Sequence, residues 1–393
     1  MTTALGERPV GLGGLRLAFG KVGPIVFLGI APLVLIFGVI VYSLAEMNIH
    51  NAFWDFHAFW SAGRDVIHGR SPYPPPSARV LAHEGSFVYP APAAVAMVPF
   101  ALLPFTVSAI LFALLLIAAL PLALRIVGVR DWRCYGLAIA SAPMWNSVAV
   151  DTVSPLLAVG LALVWRYRDR TLPGAAAVAA VIVLKLFLWP LLLWLAFTRR
   201  SRTALLAVGL MLVVTFVGWA LIGFDGLRSY EHVLQLLTKL LEGKGYSLVA
   251  LGLSLGATTA VARALPFVVG GAALALIALR GRRPGADEWS FAVATGAALA
   301  LSPIVWLHYF VLVFVPIAIV RPRLSWLWAM PLLLWVVGGQ SISRPIWDSQ
   351  KKYRDLATSP RVGHASLIVY ALAVVTAILA TAAYAARSAR RQA

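Results

Sequence analysis

The residue best placed to do chemistry is Asp55, which lies just beyond the first long apolar segment of the 393-residue chain. It stands within Asn51-Ala-Phe-Trp-Asp-Phe-His-Ala-Phe-Trp60, where aromatic side chains crowd it. A carboxylate in such a partly desolvated place has a raised pKa, which suits a general base. The alternative is structural: the aromatic side chains form a membrane-interface belt, and Asp55 caps the following helix. The residues alone leave both interpretations open.

His308 is the second candidate, because it lies in Leu301-Ser-Pro-Ile-Val-Trp-Leu-His-Tyr-Phe310 beside a proline that breaks the helix. A histidine there could donate to a phosphate or transfer a proton, although a lone histidine is more often a structural hydrogen-bonding group. His57, His83 and Glu84 show no metal-ligand spacing. The single cysteine excludes an intramolecular disulfide and a multi-cysteine metal site. We predict no protein-only metal site and no cofactor.

The composition shows in what environment these residues work. Hydrophobic residues make up 61% of the chain and charged residues 12%, with a mean hydropathy of +0.86, whereas soluble domains are about 45–50% apolar and about 25% charged. The chain is therefore an integral membrane protein. Its net charge of +18 would suggest a nucleic-acid partner in a soluble protein, but in a membrane protein it indicates topology. We expect no nucleic-acid partner.

Thirteen apolar segments follow one another, and short basic clusters lie in five of the intervals between them and after the last segment. A spanning helix needs about 20 apolar residues, and shorter segments are possible where protein buries them. The positive-inside rule places the basic clusters in the cytoplasm. The segments are 23–44, 88–103, 105–127, 134–150, 153–165, 172–184, 186–198, 203–222, 264–280, 289–303, 305–320, 324–340 and 365–386.

Thirteen crossings would leave the two basic termini on opposite sides. The segment 88–103 is short and contains Pro90, Pro92 and Pro99, so we interpret it as re-entrant or interfacial on the outer side. Twelve spans remain and place both termini in the cytoplasm. We predict an all-α polytopic membrane protein with a single transmembrane domain over 1–393.

Lys185 separates two apolar segments, 172–184 and 186–198, that are each short for a bilayer. A lysine at the centre of the hydrocarbon costs about 2.5–3.5 kcal/mol on insertion scales. We therefore favour two short helices that bring Lys185 near the outer surface or a water-filled cavity. The alternative is one continuous helix with a snorkelling lysine.

This topology leaves three substantial outer segments, 45–87, 223–263 and 341–364, where we expect the function to lie. The last holds a group of basic residues, and positive charge on the outer side runs against the usual bias. A phosphate ligand would explain it, and a solvated loop or one that touches anionic lipid head groups is the alternative. The basic residues are Arg344, Lys351, Lys352, Arg354 and Arg361.

Several stretches, in order over most of the chain, resemble glycosyltransferase family 87. This family comprises multispanning GT-C-type enzymes, among them mannosyltransferases that use polyprenyl-phosphate mannose to extend glycolipids. The resemblance implies a GT-C-type fold for this chain. The matching stretches are Trp54-Asp-Phe-His57, Ser61-Ala-Gly-Arg64, Ser71-Pro-Tyr73, Phe87-Val-Tyr-Pro-Ala-Pro92 running to Leu102-Leu-Pro104, Ser154-Pro-Leu-Leu157, Leu184-Lys-Leu186 and Leu301-Ser-Pro-Ile-Val-Trp-Leu-His-Tyr309.

The resemblance also implies roles for residues at the matching positions. Asp55 corresponds to the family's proposed catalytic base, and His308 to a histidine near the donor phosphate. Two positions depart from the family pattern. Members often have Gly-Gln where this chain has Val150-Asp151, and often an acidic residue where it has Leu307. Both departures bear on the specificity for sugar and acceptor.

We therefore expect a membrane glycosyltransferase that moves a sugar, mannose by resemblance, from a polyprenyl-phosphate donor to a lipid or glycan hydroxyl with inversion. It would lie in the cell (plasma) membrane among lipids, with its active site on the periplasmic face. The donor phosphate candidates are Arg64, Lys185, Arg344, Lys351, Lys352 and Arg354, and the other substrate contacts are Tyr73, Tyr89, Asp151, Trp306 and Tyr309.

The alternative function is a lipid-linked sugar flippase or another secondary transporter. Transporters usually carry ionisable residues on broken helices near the middle of the membrane. In this chain the predicted topology collects them on one side, which favours the enzyme.

Overall fold

The computed structural model describes residues 22–45, 53–83, 86–243, 245–335, 380–385 and 387. Within these ranges the chain is helical and contains no strand. Short 3₁₀ segments lie at Leu186–Leu188, Leu307–Val313 and Met330–Leu332. The α-helices are α1 Ala31–Ala45 (after a π-helical turn, Val26–Ile30), α2 Trp54–Ile67, α3 Ala78–His83, α4 Ala91–Ala96, α5 Val98–Ala101, α6 Phe105–Ile126, α7 Trp132–Ile139, α8 Ala142–Val150, α9 Ser154–Tyr167, α10 Thr171–Leu184, α11 Pro190–Phe197, α12 Ser201–Leu221, α13 Leu227–Leu241, α14 Leu248–Ser254, α15 Thr259–Arg280, α16 Asp287–Leu301, α17 Phe314–Val320 and α18 Trp326–Ala329.

Three of these helices, α6, α12 and α15, are long and apolar enough to cross a membrane by length and composition. They expose many large apolar side chains, as expected of surfaces that face lipid. Shorter apolar helices, such as α9 and α10, accompany them. The all-α membrane architecture is thus confirmed, while twelve spans and cytoplasmic termini stay predictions. The basic segment 341–364 lies outside the described residues.

The chain breaks at Lys185, as the hairpin interpretation requires. Lys185 has an extended backbone (φ −149°, ψ 110°) between α10 and the following 3₁₀ turn. The two ends of the pair that lie far from Lys185 are joined to each other. Oδ1 of Asp169, just before α10, lies 2.7 Å from Nη2 of Arg200, just after α11. Two helices joined in this way are antiparallel, so Lys185 lies at the end of the pair opposite Asp169 and Arg200.

Four charged side chains fix this shared end, and we call Arg168, Asp169, Arg200 and Asp287 the inner ion network. Arg200 also lies 2.7 Å from Asp287, which begins α16, and Arg168, which follows α9, lies 3.3 Å from the same carboxylate. The guanidinium of Arg168 lies 4.0 Å from the centre of the Trp165 ring. The network therefore joins α9, α10, α11 and α16 at one level.

Helices α9, α10 and α16 run from the inner ion network to the other end of the bundle. They have 14, 14 and 15 residues, and 14 residues correspond to about 21 Å of helix. At the far end, Asp151 precedes α9, Lys185 follows α10, and His308 comes seven residues after the end of α16. Equal helix lengths thus bring three polar residues, distant in sequence, to one level.

The segment 88–103 forms two short helices, α4 and α5, rather than one membrane span. They pack against α2, which carries Asp55, and α4 also packs against α10 and α12. Gly63 of α2 permits the close approach: a Cβ there would lie 2.9 Å from the Cβ of Ala101 and 3.0 Å from the Met97 carbonyl oxygen. These short helices therefore support the polar end of the bundle from the side.

Candidate active site

Asp55 lies in the first turn of α2, two residues after Phe53, which is the N-cap and has a left-handed backbone (φ 56°). Its side chain is not the cap, so the structural alternative of a capping aspartate does not hold. Phe56 and Phe59 are fully buried, and Phe56 stacks on Phe112 with ring centres 4.8 Å apart. These two rings belong to the core rather than to a belt facing lipid. Asp55 itself is half-buried, so part of the residue remains exposed.

The electrostatic surroundings of Asp55 suit a base. Burial raises the pKa of its carboxyl above the ordinary value, while the ammonium group of Lys185 and the hydroxyl of Thr152 act in the opposite direction. A carboxylate with a raised pKa holds a proton more firmly and is a stronger base. The arrangement can therefore accept a proton from a hydroxyl group.

Lys185 points between two tyrosine rings. Its Nζ lies 3.9 Å from the centre of the Tyr309 ring and 5.4 Å from that of Tyr89, and Phe187 stacks on Tyr309 at 4.9 Å. The side chain is 6% exposed, and Nζ has no hydrogen-bond partner among the described residues. Cation–π contacts hold the ammonium group in place but leave its three donors available.

Asp151 occupies the turn between α8 and α9. It is fully buried, and its backbone is left-handed (φ 57°, ψ 57°). Neither carboxylate oxygen has a hydrogen-bond partner within the described part of the chain, and the same is true of the hydroxyl of Ser154. Asp151 is close enough to Asp55 for their charges to interact.

His308 contacts the cluster from the 3₁₀ segment after α16. Its Nδ1 lies 3.3 Å from Oδ1 of Asn146 on α8, so the Nδ1–H tautomer donates to that amide. The imidazole is 4% exposed, and Nε2 is without a partner as far as the structure describes the chain. Lys185 is near enough to act on it electrostatically. The imidazole is thus oriented by one nitrogen and presents the other.

Buried polar groups normally have hydrogen-bond partners, so a group of unpartnered ones indicates a ligand. The cluster contains a cation (Lys185), a carboxylate (Asp151), hydroxyls and an imidazole, with an accessible carboxylate (Asp55) beside them. A fitting ligand carries an anionic group for the cation and hydroxyl donors for the carboxylates. No group of three or more metal-ligating side chains occurs in the described ranges.

The structure thus brings together six residues from the sequence-based prediction: Asp55, Tyr89, Asp151, Lys185, His308 and Tyr309. These assignments stay predictions, since geometry alone does not prove a role. Four other candidates, Arg344, Lys351, Lys352 and Arg354, lie outside the described residues.

Three predicted residues lie apart from the cluster. Arg64 is nine residues from Asp55 on α2, which corresponds to opposite helix faces and about 14 Å along the axis. It lies 5.1 Å from the Trp60 ring centre. Tyr73 stacks on Trp219 with ring centres 4.9 Å apart. Its hydroxyl donates to the backbone carbonyl of Tyr89 at 2.9 Å, so Tyr73 supports the backbone of Tyr89. Trp306 is half-buried and packs against the hydrophobic core, and no hydrogen bond or ring stacking joins it to the cluster among the described residues.

Sequence reasoning missed Asn146, Thr152, Ser154 and Phe187. Ser154 begins α9 and Thr152 lies two residues before it, and polar residues just before a buried helix were a usable signal. Asn146 is found only because α8 packs on the 3₁₀ segment that carries His308. Because 162 residues separate Asn146 from His308, no local pattern in the sequence reveals their contact.

Comparison with protein families gives one match. The model of glycosyltransferase family 87 matches residues 87–305, which is more than half of the chain. The chain belongs to glycosyltransferase family 87. It is therefore a glycosyltransferase, and the family resemblance noted in the sequence is confirmed. No curated protein and no solved structure matches the chain.

The family match covers Tyr89, Asp151 and Lys185, but it begins after Asp55 and ends before His308. Membership in a glycosyltransferase family implies a sugar donor and an acceptor at the membrane. The cluster at the end of α10 gathers unpartnered polar groups of the described residues, and its role in binding such substrates stays a prediction.

Proposed function

We propose that this enzyme transfers a sugar, by family resemblance mannose, from a polyprenyl-phosphate donor to a hydroxyl group of a lipid or glycan acceptor, with inversion. The observation that carries the proposal is the pairing of an accessible carboxylate, Asp55, with a buried and unpartnered ammonium group, Lys185. The first suits a hydroxyl that must lose a proton. The second suits a phosphate.

In the proposed reaction the acceptor oxygen forms a bond with the anomeric carbon as the bond from that carbon to the phosphate oxygen breaks. The electron pair leaves with the polyprenyl phosphate, and Asp55 takes the proton of the acceptor hydroxyl. Phosphate needs no proton to leave, so no second acid is required. Lys185, and His308 when protonated, stabilise the charge on the departing phosphate.

The position of the cluster supports a site at the outer surface of the cell (plasma) membrane. The inner ion network and the basic clusters beside it occupy the opposite end of α9, α10 and α16, and basic residues favour the cytoplasmic side. The cluster then faces the periplasmic side, where a lipid donor can enter sideways from the bilayer. The basic segment 341–364 remains a candidate for additional contacts with the phosphate.

A flippase or transporter is the weaker alternative. Family membership makes the chain a transferase, and its unpartnered ionisable side chains collect at one end of the described helices. A transporter needs groups that serve a path through the whole membrane.

The test is transfer by the purified protein in lipid nanodiscs, with radiolabelled polyprenyl-phosphate mannose as donor and membrane glycolipid extract as acceptor. Asp55→Asn keeps the size of the side chain but removes the base, so we expect kcat to fall by about 10²–10⁴-fold with little change in donor binding. The rate of labelled product formation measures this.

Asp65→Asn is the matched control, because Asp65 lies on the same helix but pairs with Arg70 at the exposed surface. It should keep the rate of the unaltered enzyme. If Asp55→Asn also transfers at that rate, Asp55 is not the base. If the unaltered protein transfers sugar from no polyprenyl-phosphate donor, the proposed function is wrong.

A further inference from the structure

We propose that Asp151 recognises the sugar of the donor through its hydroxyl groups and so determines which sugar is transferred. This inference rests on the proposed function and deepens it, by dividing the two carboxylates of the site between the two substrates. Asp55 serves the acceptor, and Asp151 serves the donor sugar.

The first observation is the burial of Asp151. Its side chain is 0% exposed, and both oxygens are without a hydrogen-bond partner within the described ranges. A buried carboxylate that lacks partners is unfavourable for the folded protein. Such a group is retained where a ligand supplies the missing donors.

The second observation is how Asp151 is held. Its left-handed backbone ends α8, its own N–H donates to the Ser147 carbonyl, and α9 begins three residues later. A residue other than glycine keeps this conformation where the surroundings hold it, and aspartate and asparagine adopt it more readily than most others. Two helices therefore fix the direction of the carboxylate before any ligand arrives, as a specificity site requires.

The third observation concerns which ligand group fits. Burial and the charge of Asp55 raise the pKa of the Asp151 carboxyl well above its ordinary value. In either protonation state the carboxyl can pair with sugar hydroxyls, which both donate and accept hydrogen bonds, whereas a phosphodiester suits the cation Lys185. A metal ion lacks a set of ligands here, because no group of three or more His, Cys, Asp or Glu side chains is found in the described residues. Adjacent sugar hydroxyls supply two donors at the spacing of the two carboxylate oxygens.

The fourth observation separates Asp151 from Asp55. Asp55 is half-buried and can meet an acceptor that approaches from the surface, whereas Asp151 is enclosed between α8 and α9. The charges of the two groups interact, so they flank one site rather than two. The donor sugar fits between them, with its anomeric carbon on the side of Asp55.

The test measures binding and transfer with three probes: polyprenyl phosphate, polyprenyl-phosphate mannose, and monodeoxy forms of that mannose donor. Asp151→Gly removes the side chain and accepts the left-handed backbone, and Asn tolerates the same conformation. Both variants should therefore fold. Asp65→Asn serves as the control on the exposed face of α2.

We expect Asp151→Gly to lower the affinity for the mannose donor, relative to that for polyprenyl phosphate, by at least about tenfold, since the hydrogen bonds to the sugar are lost. The unaltered enzyme should discriminate against at least one deoxy donor, and Asp151→Gly should lose that discrimination to within twofold. Asp151→Asn should weaken donor binding and leave the acidic limb of the pH profile in place.

The inference is overturned if Asp151→Gly keeps both preferences of the unaltered enzyme, or if Asp151→Asn abolishes kcat with intact donor binding. The second result would make Asp151 part of the proton transfer.

If the enzyme transfers sugar and the preferences survive, the inference fails while the proposed function stands. If no sugar is transferred but binding of the mannose donor depends on Asp151, the proposed function fails alone.

Discussion

Lysine side chains are almost never fully buried without a partner, yet Lys185 is 6% exposed, and its Nζ lies over two tyrosine rings with no hydrogen-bond partner among the described residues. A desolvated cation–π contact contributes about 2 kcal/mol or more, which offsets part of the cost of burial. The tyrosine rings thus hold the ammonium group without neutralising it. This suits a group that must meet an anionic ligand.

The pH dependence of transfer should depend on Asp55 and Lys185 together. Burial raises the pKa of the Asp55 carboxyl, and Lys185 and the Thr152 hydroxyl oppose that rise. A base must be unprotonated to act, so kcat/KM should fall as the pH is lowered through the raised pKa. Lys185→Gln removes the opposing positive charge and should move this acidic limb to higher pH. Initial rates over a pH series measure the limb.

Arg70→Gln is the control for this prediction, since it removes an exposed cation that pairs with Asp65 on the same helix. It should leave the limb where it is. An acidic limb that Lys185→Gln leaves unmoved, or moves to lower pH, would show that Asp55 does not titrate in the rate-limiting step.

At the residue scale the sequence identifies those groups that stand out locally. Asp55 among aromatics, Lys185 within an apolar run and His308 beside Pro303 are conspicuous because each departs from its surroundings. Arg64 stands out equally, but helix geometry turns it away from Asp55. Asn146 does not stand out, since its role depends on a contact with a distant element.

At the element scale the decisive feature is the break between α10 and α11. The sequence could predict this hairpin, because Lys185 and the flanking basic clusters are all visible in it. It could not predict that α2 packs so closely on α4 and α5, because that contact depends on the absence of a side chain at Gly63. Many glycines in this chain have open space around them, and the sequence does not distinguish these from Gly63.

Gly63→Ala should therefore destabilise the protein and disturb the site. The new Cβ would lie about as close to the Met97 backbone as to the Ala101 side chain, and backbone cannot easily move. Overpacking of this kind costs about 1–3 kcal/mol. We expect a lower unfolding temperature in detergent and a lower kcat, because α2 carries Asp55.

Gly209→Ala on α12 is the matched control, since a Cβ there meets nothing within 4 Å. Alanine favours a helix over glycine by about 1 kcal/mol, so this variant should be equal or higher in stability. Equal unfolding temperatures for Gly63→Ala and the unaltered protein would disprove close packing of α2.

At the scale of the whole molecule, charge divides the bundle into two ends. Paired arginines and aspartates occupy one end, and the unpartnered polar cluster occupies the other. The sequence predicts this division, because charged residues between apolar segments are easy to locate. The number of spans is harder to predict, since helices such as α9 and α10 are shorter than a bilayer is thick, and only their packing fixes their depth.

Cysteine labelling can test the orientation of the two ends. The only cysteine of the chain, Cys134, is buried and gives little background. Arg70→Cys near the cluster end and Arg283→Cys near the inner ion network both replace exposed residues. In sealed right-side-out vesicles, an impermeant maleimide should label the first directly and the second only after detergent is added. The reverse result would place the cluster in the cytoplasm.

The shortness of α9 and α10 has a consequence for the fidelity of the reaction. Their length of about 21 Å falls short of a hydrocarbon layer of about 30 Å. The proposed topology sets the inner ion network at one boundary, so it sets the cluster several ångströms below the other. Fewer water molecules reach that depth than reach the surface, and water is the acceptor that would compete with a sugar or lipid hydroxyl. The enzyme should thus lose little activated donor to hydrolysis, and it should favour acceptors that a membrane anchor can carry down to the same level.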